Sequence, residues 1–142
     1  MILIAGYAGL AAGVILLFLA HVAPRFGAGN FIREIDQPTA FGRKISHREA
    51  HLIGILIHLL VSLFAGLVFA WLVDQRLVSG FHFLPVLGWS VILTFVFGLI
   101  IMPLEGHGIF GVKHDAWFPV DLFLTSILWG LIFFALMRVW GV

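Results

Sequence analysis

The chain has 142 residues, of which 62% are hydrophobic and only 11% charged, with a mean hydropathy of +1.14. A water-soluble domain carries about a quarter charged residues, so a bilayer must be the solvent for much of this one. The absence of cysteine excludes disulfides, thiolate metal ligands, thiol catalysis and iron–sulfur clusters. A net charge of +1 gives no reason to expect nucleic acid as a partner.

The first apolar run, Ile2 to Val22, can cross the ~30 Å hydrocarbon core at ~1.5 Å per residue. It lacks a basic n-region and a good cleavage site, so a retained transmembrane helix is expected rather than a signal peptide. Gly6, Gly9, Gly13 and Ala20 share one side of it. Small residues let helices approach closely in lipid, and this face is the expected contact in a homo-oligomer or larger membrane complex. Ala23 to Ser46 follows as a polar connection rich in Gly and Pro, with Asn30 to Ile35 expected as a short amphipathic turn on the membrane surface.

Ser46 is placed to N-cap the second helix, with Glu49 completing a capping box. Within that helix His47, His51 and His58 fall at i, i+4 and i+11, within about 40° of one another at 100° per residue. Gly54, Ser62 and Ala65 continue this polar, small-residue seam through otherwise apolar sequence. The short connection Asp74 to His82 predicts an antiparallel third helix. That run, Phe83 to Leu104, contains no charged residue, and Ser90, Thr94, Gly98 and Glu105 form a line along it. Pro103 is expected to kink it where Glu105 emerges.

After the glycine-rich connection Glu105 to Asp115, the fourth helix tolerates Pro119 in its first turn and carries Asp121 one turn in, with Thr125 on the same face. Trp71, Trp89, Trp117 and Trp140, near the ends of apolar runs, read as an interfacial aromatic belt. The fold class is therefore all-α: a polytopic integral membrane four-helix bundle, one domain over 1–142, with spans about 2–22, 47–73, 83–104 and 116–137.

Alternating spans place Arg25, Arg33, Arg43, Lys44, Arg48 and Lys113 on one side and only Arg76 and Arg138 on the other. This bias predicts the first side as cytoplasmic and both termini outside, in a membrane expected to be a cell inner membrane of prokaryotic type. The same topology gathers His21, His47, His51, Glu105, His107, His114, Asp115 and Asp121 at the cytoplasmic end, while His82 alone among the histidines lies at the opposite end. His47 and His51 have the i, i+4 spacing by which one helix offers two imidazoles to a metal. Glu105, His107 and His114 would complete a nitrogen and oxygen donor set suited to zinc, iron, manganese or copper. Asp121 and Asp115 are then supporting or proton-transfer groups.

Haem b is the second cofactor option, with His21 facing His51 or His58; interfacial pairing with no cofactor is the bland one. A lone His58 most simply hydrogen-bonds a neighbouring helix. Two functions remain open on these residues: a metal-binding membrane enzyme or redox subunit, and a non-enzymatic membrane subunit or transporter component working as an oligomer.

The stretches SHREAHLIGILIH (46–58), SLFAGLVFAWL (62–72) and PLEGHGIFG (103–111) resemble small uncharacterised four-helix membrane proteins of bacteria and archaea. The resemblance covers about half the chain. It implies a polytopic membrane fold and no particular activity.

Overall fold

A computed structural model describes residues 1–22, 39–40, 43–44, 46–104, 106–113 and 116–141. Its long elements are α1 (Ile2–Val22), α2 (His47–Asp74), α3 (Phe83–Leu104) and α4 (Phe118–Val139). All four are long and apolar enough to cross a membrane. The bounds fall within two residues of those expected from hydropathy. A two-residue antiparallel ladder, β1 (Thr39–Ala40) with β2 (Arg43–Lys44), adds a small feature that the sequence pattern did not announce. The turn expected at 30–35 lies outside the described residues.

The outward faces are apolar: Leu3, Leu84 and Val139 are each more than 70% exposed. In water such a surface would drive aggregation, whereas hydrocarbon solvates it without penalty. Inside, the packing is led by small residues. Ala5, Ala8 and Ala12 of α1 are fully buried. Gly9 lies against Ser62 and Gly66, and Gly13 against Ser62 and His58, which fixes α1 and α2 as antiparallel neighbours. A Cβ on Gly9 would overlap the Ser62 carbonyl, and one on Gly66 would overlap the Ala5 carbonyl. The glycine face of α1 is therefore spent within the chain. This corrects the expectation that it meets a second copy: α2 carries its own small residues at the matching spacing, and the two surfaces close on each other.

α1 also packs against α4, and α4 against α3. The α3–α4 contact rests on Gly130 beneath the buried Ser90 and on Phe83 edge-on to Phe134. α2 and α3 meet chiefly through rings. Phe69 lies 5.4 Å from Phe81, 5.9 Å from Phe133 and 6.0 Å from Trp89. Trp71, Trp117 and Trp140 are exposed as a belt requires, but Trp89 is half-buried against Phe69 and leaves the belt. Its indole nitrogen is buried without a hydrogen-bond partner among the described residues.

α3 widens into a π turn at Phe97–Ile101, where the Met102 N–H bonds the Phe97 carbonyl, before a last α turn, Met102–Leu104. Glu105, where the kink was expected to fall, lies outside the described residues. Pro103 lacks an N–H and its ring crowds the carbonyl four residues back, so the helix relieves the conflict one turn earlier by shifting to i−5 bonding.

α2 ends in a Schellman motif: Arg76 N–H bonds the Val73 carbonyl and Leu77 N–H the Leu72 carbonyl, at 3.0 Å each. That motif puts its C′ residue in the left-handed region, here Arg76 at φ 58°, at a cost of about 1 kcal/mol for a residue with a Cβ. Arg76→Gly is therefore expected to raise unfolding free energy by roughly that 1 kcal/mol, read as a higher thermal midpoint in detergent. Gly9→Leu should do the opposite, lowering it by about 2–3 kcal/mol through overpacking. SDS titration in mixed micelles would register the loss at any protein concentration, because the contact is within one chain.

Candidate functional site

Two cross-helix hydrogen bonds end on the glycine carbonyls of α1. The Trp129 indole N–H donates to the Gly9 carbonyl (3.3 Å) and the His58 Nε2–H to the Gly13 carbonyl (3.2 Å). A carbonyl only accepts, so the Gly13 contact assigns the ring proton of His58 to Nε2 and leaves Nδ1 as an acceptor. Trp129 is 4% exposed and stacks on Phe133 at 5.0 Å, which holds the indole edge toward α1. Sequence reasoning missed Trp129, because a Trp in mid-span carries no belt signal. Its i, i+4 relation to Phe133 was the available clue.

Beside these bonds is a cavity of about 70 Å³ lined by His58 and Ser62 of α2, Thr125, Ser126 and Trp129 of α4, and apolar side chains of all four helices. The Thr125 hydroxyl donates to the Asp121 carbonyl (2.7 Å) and that of Ser126 to the Leu122 carbonyl (2.9 Å). Ser90 and Thr94 likewise turn back onto Val86 and Ser90 of their own helix, so the polar line of α3 is tied down locally. Of the residues named for the haem option, His58 has its Nε2 engaged with the Gly13 carbonyl.

At the end where α2 begins, the glycine-rich connection folds back on α3. A 3₁₀ turn, Ile109–Gly111, contains Phe110 at φ 52°. The Phe110 ring fills the notch left by Gly98 and meets Phe95 edge-on at 5.7 Å. Gly106 (φ 83°) and Gly108 (φ 77°) flank His107 with backbone angles that side chains disfavour. His107 is thereby turned inward and is only 9% exposed. Its N–H donates to the Met102 carbonyl (2.9 Å) and its carbonyl accepts from Lys113 N–H (3.3 Å).

His51 lies exposed on the second turn of α2, and Asp121 is half-buried in the first turn of α4. The expected seam is thus continuous in sequence but divided in burial: His51 and Gly54 face outward, while Ser62 and Ala65 are inside. Among the described residues no three His, Asp or Glu side chains converge as a metal-sized group. Glu105, His114 and Asp115, with the side chains of His21 and His47, lie outside the described residues.

The capping box expected at α2 is formed. Ser46 Oγ accepts from Glu49 N–H (3.2 Å) and the Glu49 carboxylate accepts from Ser46 N–H (2.9 Å). The Ser46 backbone bond, then its hydroxyl, holds the Glu49 carboxyl below the usual carboxylate range, with Arg43 adding a smaller pull. A depressed carboxylate stabilises above its unfolded pKa, and that stabilisation is lost as pH falls through the lower folded value. Hydrogen exchange corrected for intrinsic rates should therefore show the amides of Glu49 and its neighbours losing protection only below the usual carboxylate range. Glu49→Gln should flatten that pH response.

No family model matches this chain, and no curated protein or solved structure is detectably similar to it.

Proposed function

We propose that this is a multi-pass membrane metalloprotein that binds a transition metal at the end of the bundle where α2 begins. The observation carrying this reading is His107, an imidazole only 9% exposed on the glycine-rich connection between α3 and α4. The sequence supplies His47 and His51 one turn apart on α2, with Glu105 and His114 on the same connection as His107. With no cysteine in the chain, the donors are nitrogen and oxygen, which suits zinc, iron, manganese or copper. Such a metal at the bilayer surface would serve a small enzyme acting on a lipid-soluble substrate, or a redox subunit. The basic bias of this end puts it in the cytoplasm, with both termini outside a prokaryotic-type inner membrane.

A second reading, a non-enzymatic subunit or transporter component in an oligomer, draws on a different observation. Leu52, Leu56, Leu60 and Phe64 form an exposed i+4 stripe on α2, each more than 40% exposed, which a neighbouring helix could cover as well as lipid.

Metal analysis and a visible spectrum on protein purified in mild detergent without chelator would test the first reading. It expects a stoichiometric metal without a Soret band. His51→Ala and His107→Ala should each reduce metal content at least about tenfold, while His82→Ala at the opposite end leaves it unchanged. Metal-free wild-type protein, or full occupancy in both variants, would overturn the reading and turn attention to oligomeric state.

A further inference from the structure

We infer that the cavity beside His58 is a hydrated site in the middle of the bundle, binding water through Ser62, Thr125, Ser126 and His58. It is distinct from the metal reading and does not depend on it. His58 lies 7 residues into the apolar span of α2 that begins at His51, about 10 Å along it at 1.5 Å per residue, so the site sits inside the hydrocarbon layer.

Three observations carry the inference. The first is size. The roughly 70 Å³ open to water-sized molecules exceeds the 10–15 Å³ that one water needs by this measure, and suits a small cluster. The second is the state of the polar groups. Ser62 is 4% exposed and lines the cavity, and no hydrogen bond ties its hydroxyl to another described residue. In hydrocarbon such a group is costly to leave unpaired.

The third is the donor and acceptor balance. Thr125 and Ser126 spend their protons on Asp121 and Leu122 carbonyls, leaving lone pairs. His58 spends its Nε2 proton on Gly13, leaving Nδ1 as an acceptor. The lining is mostly apolar, and its few polar groups are acceptors on Thr125, Ser126 and His58 with one hydroxyl donor on Ser62, a set that disfavours anions and that an apolar guest would leave unsatisfied. Water, with two donors and two acceptors, meets both demands.

The site also has a defined limit. Above it Phe69, Phe81, Trp89 and Phe133 close the bundle with rings 5.4–6.4 Å apart. Hydration is therefore confined to the half of the bundle that includes the His51 and His107 end.

The native chain has no cysteine, so a single introduced thiol has an S–H stretch with no background. Ser62→Cys protein in lipid films would be exposed to D₂O and followed by infrared spectroscopy, with Val86→Cys as a control in the dry core, where Val86 is 2% exposed. The expected result is conversion of the S–H band to S–D at least tenfold faster at position 62 than at 86. Adding Ser126→Leu to Ser62→Cys should fill the cavity and slow its conversion toward the control. Should Ser62→Cys fail to fold, Ser126→Cys carries the same test from the facing helix. A thiol at 62 or 126 that keeps its proton as long as the one at 86 would overturn the inference, as would a rate unchanged by Ser126→Leu.

Discussion

The structure depends on one face of α1. Lipid tails are as apolar as leucine, so helices in a bilayer are not pressed together by hydrophobicity. They associate where close van der Waals contact and interhelical hydrogen bonds can be had. Ala5, Ala8, Gly9, Ala12 and Gly13 provide the first by keeping the α1 surface flat enough for α2 to lie backbone to backbone. Gly9 and Gly13 also provide the second, because carbonyls next to glycine are open to side chains from outside the helix. Trp129 and His58 take them. Each such bond is worth only about 0.6 kcal/mol on average in membranes, yet the two come from different helices. Together they set the rotation of α2 and α4 about α1.

The rest of the bundle follows from that choice. With α2 and α4 both drawn onto α1, α3 packs on α4 and reaches α2 mainly through Trp89 and Phe69. Large rings fill the wedge where they are present, around Phe69, Phe81 and Phe133. Lower down, the facing residues are Ser62, Ala65, Thr125 and Ser126, which are too small to fill it, and the cavity lies there. The cavity is thus a product of small side chains at one level of the bundle and large ones at the next.

Much of this was legible in the chain. Uninterrupted apolar runs gave the four helices, Ser46 with Glu49 gave the capping box, and the spacing of Gly9 and Gly13 marked a packing face. What that face would meet was not legible, since periodicity identifies a surface but not its partner; only Gly66 and Ser62 on α2 decide it. Trp89 was misplaced for a related reason, as nearness to a span end says nothing of which way the ring turns. Pro103 announced a backbone conflict, and a π turn lies one turn upstream of it, while Glu105, where the kink was expected, lies outside the described residues. The candidate metal residues were grouped by expected topology alone, and Glu105, His114 and the His47 side chain lie outside the described residues. The structure adds the burial of His107 and the exposure of His51, and both depend on how glycines bend a loop.

The π turn and that loop act as one unit. Shifting α3 to i−5 bonding at Phe97–Ile101 presents Gly98 as a notch, and Phe110 can fill it only from a left-handed backbone position. Such a conformation costs about 1–3 kcal/mol and persists only where the surroundings hold it. Here the Phe95 ring and the bare Gly98 backbone do so, and the consequence falls three residues away, where His107 is turned inward. The last turn of α3 also holds this loop directly, the Pro103 carbonyl accepting from Gly106 N–H (3.1 Å) and the Met102 carbonyl from the His107 backbone N–H (2.9 Å). That arrangement keeps the imidazole fixed at the bundle end without any charged neighbour in the span, which α3 does not contain.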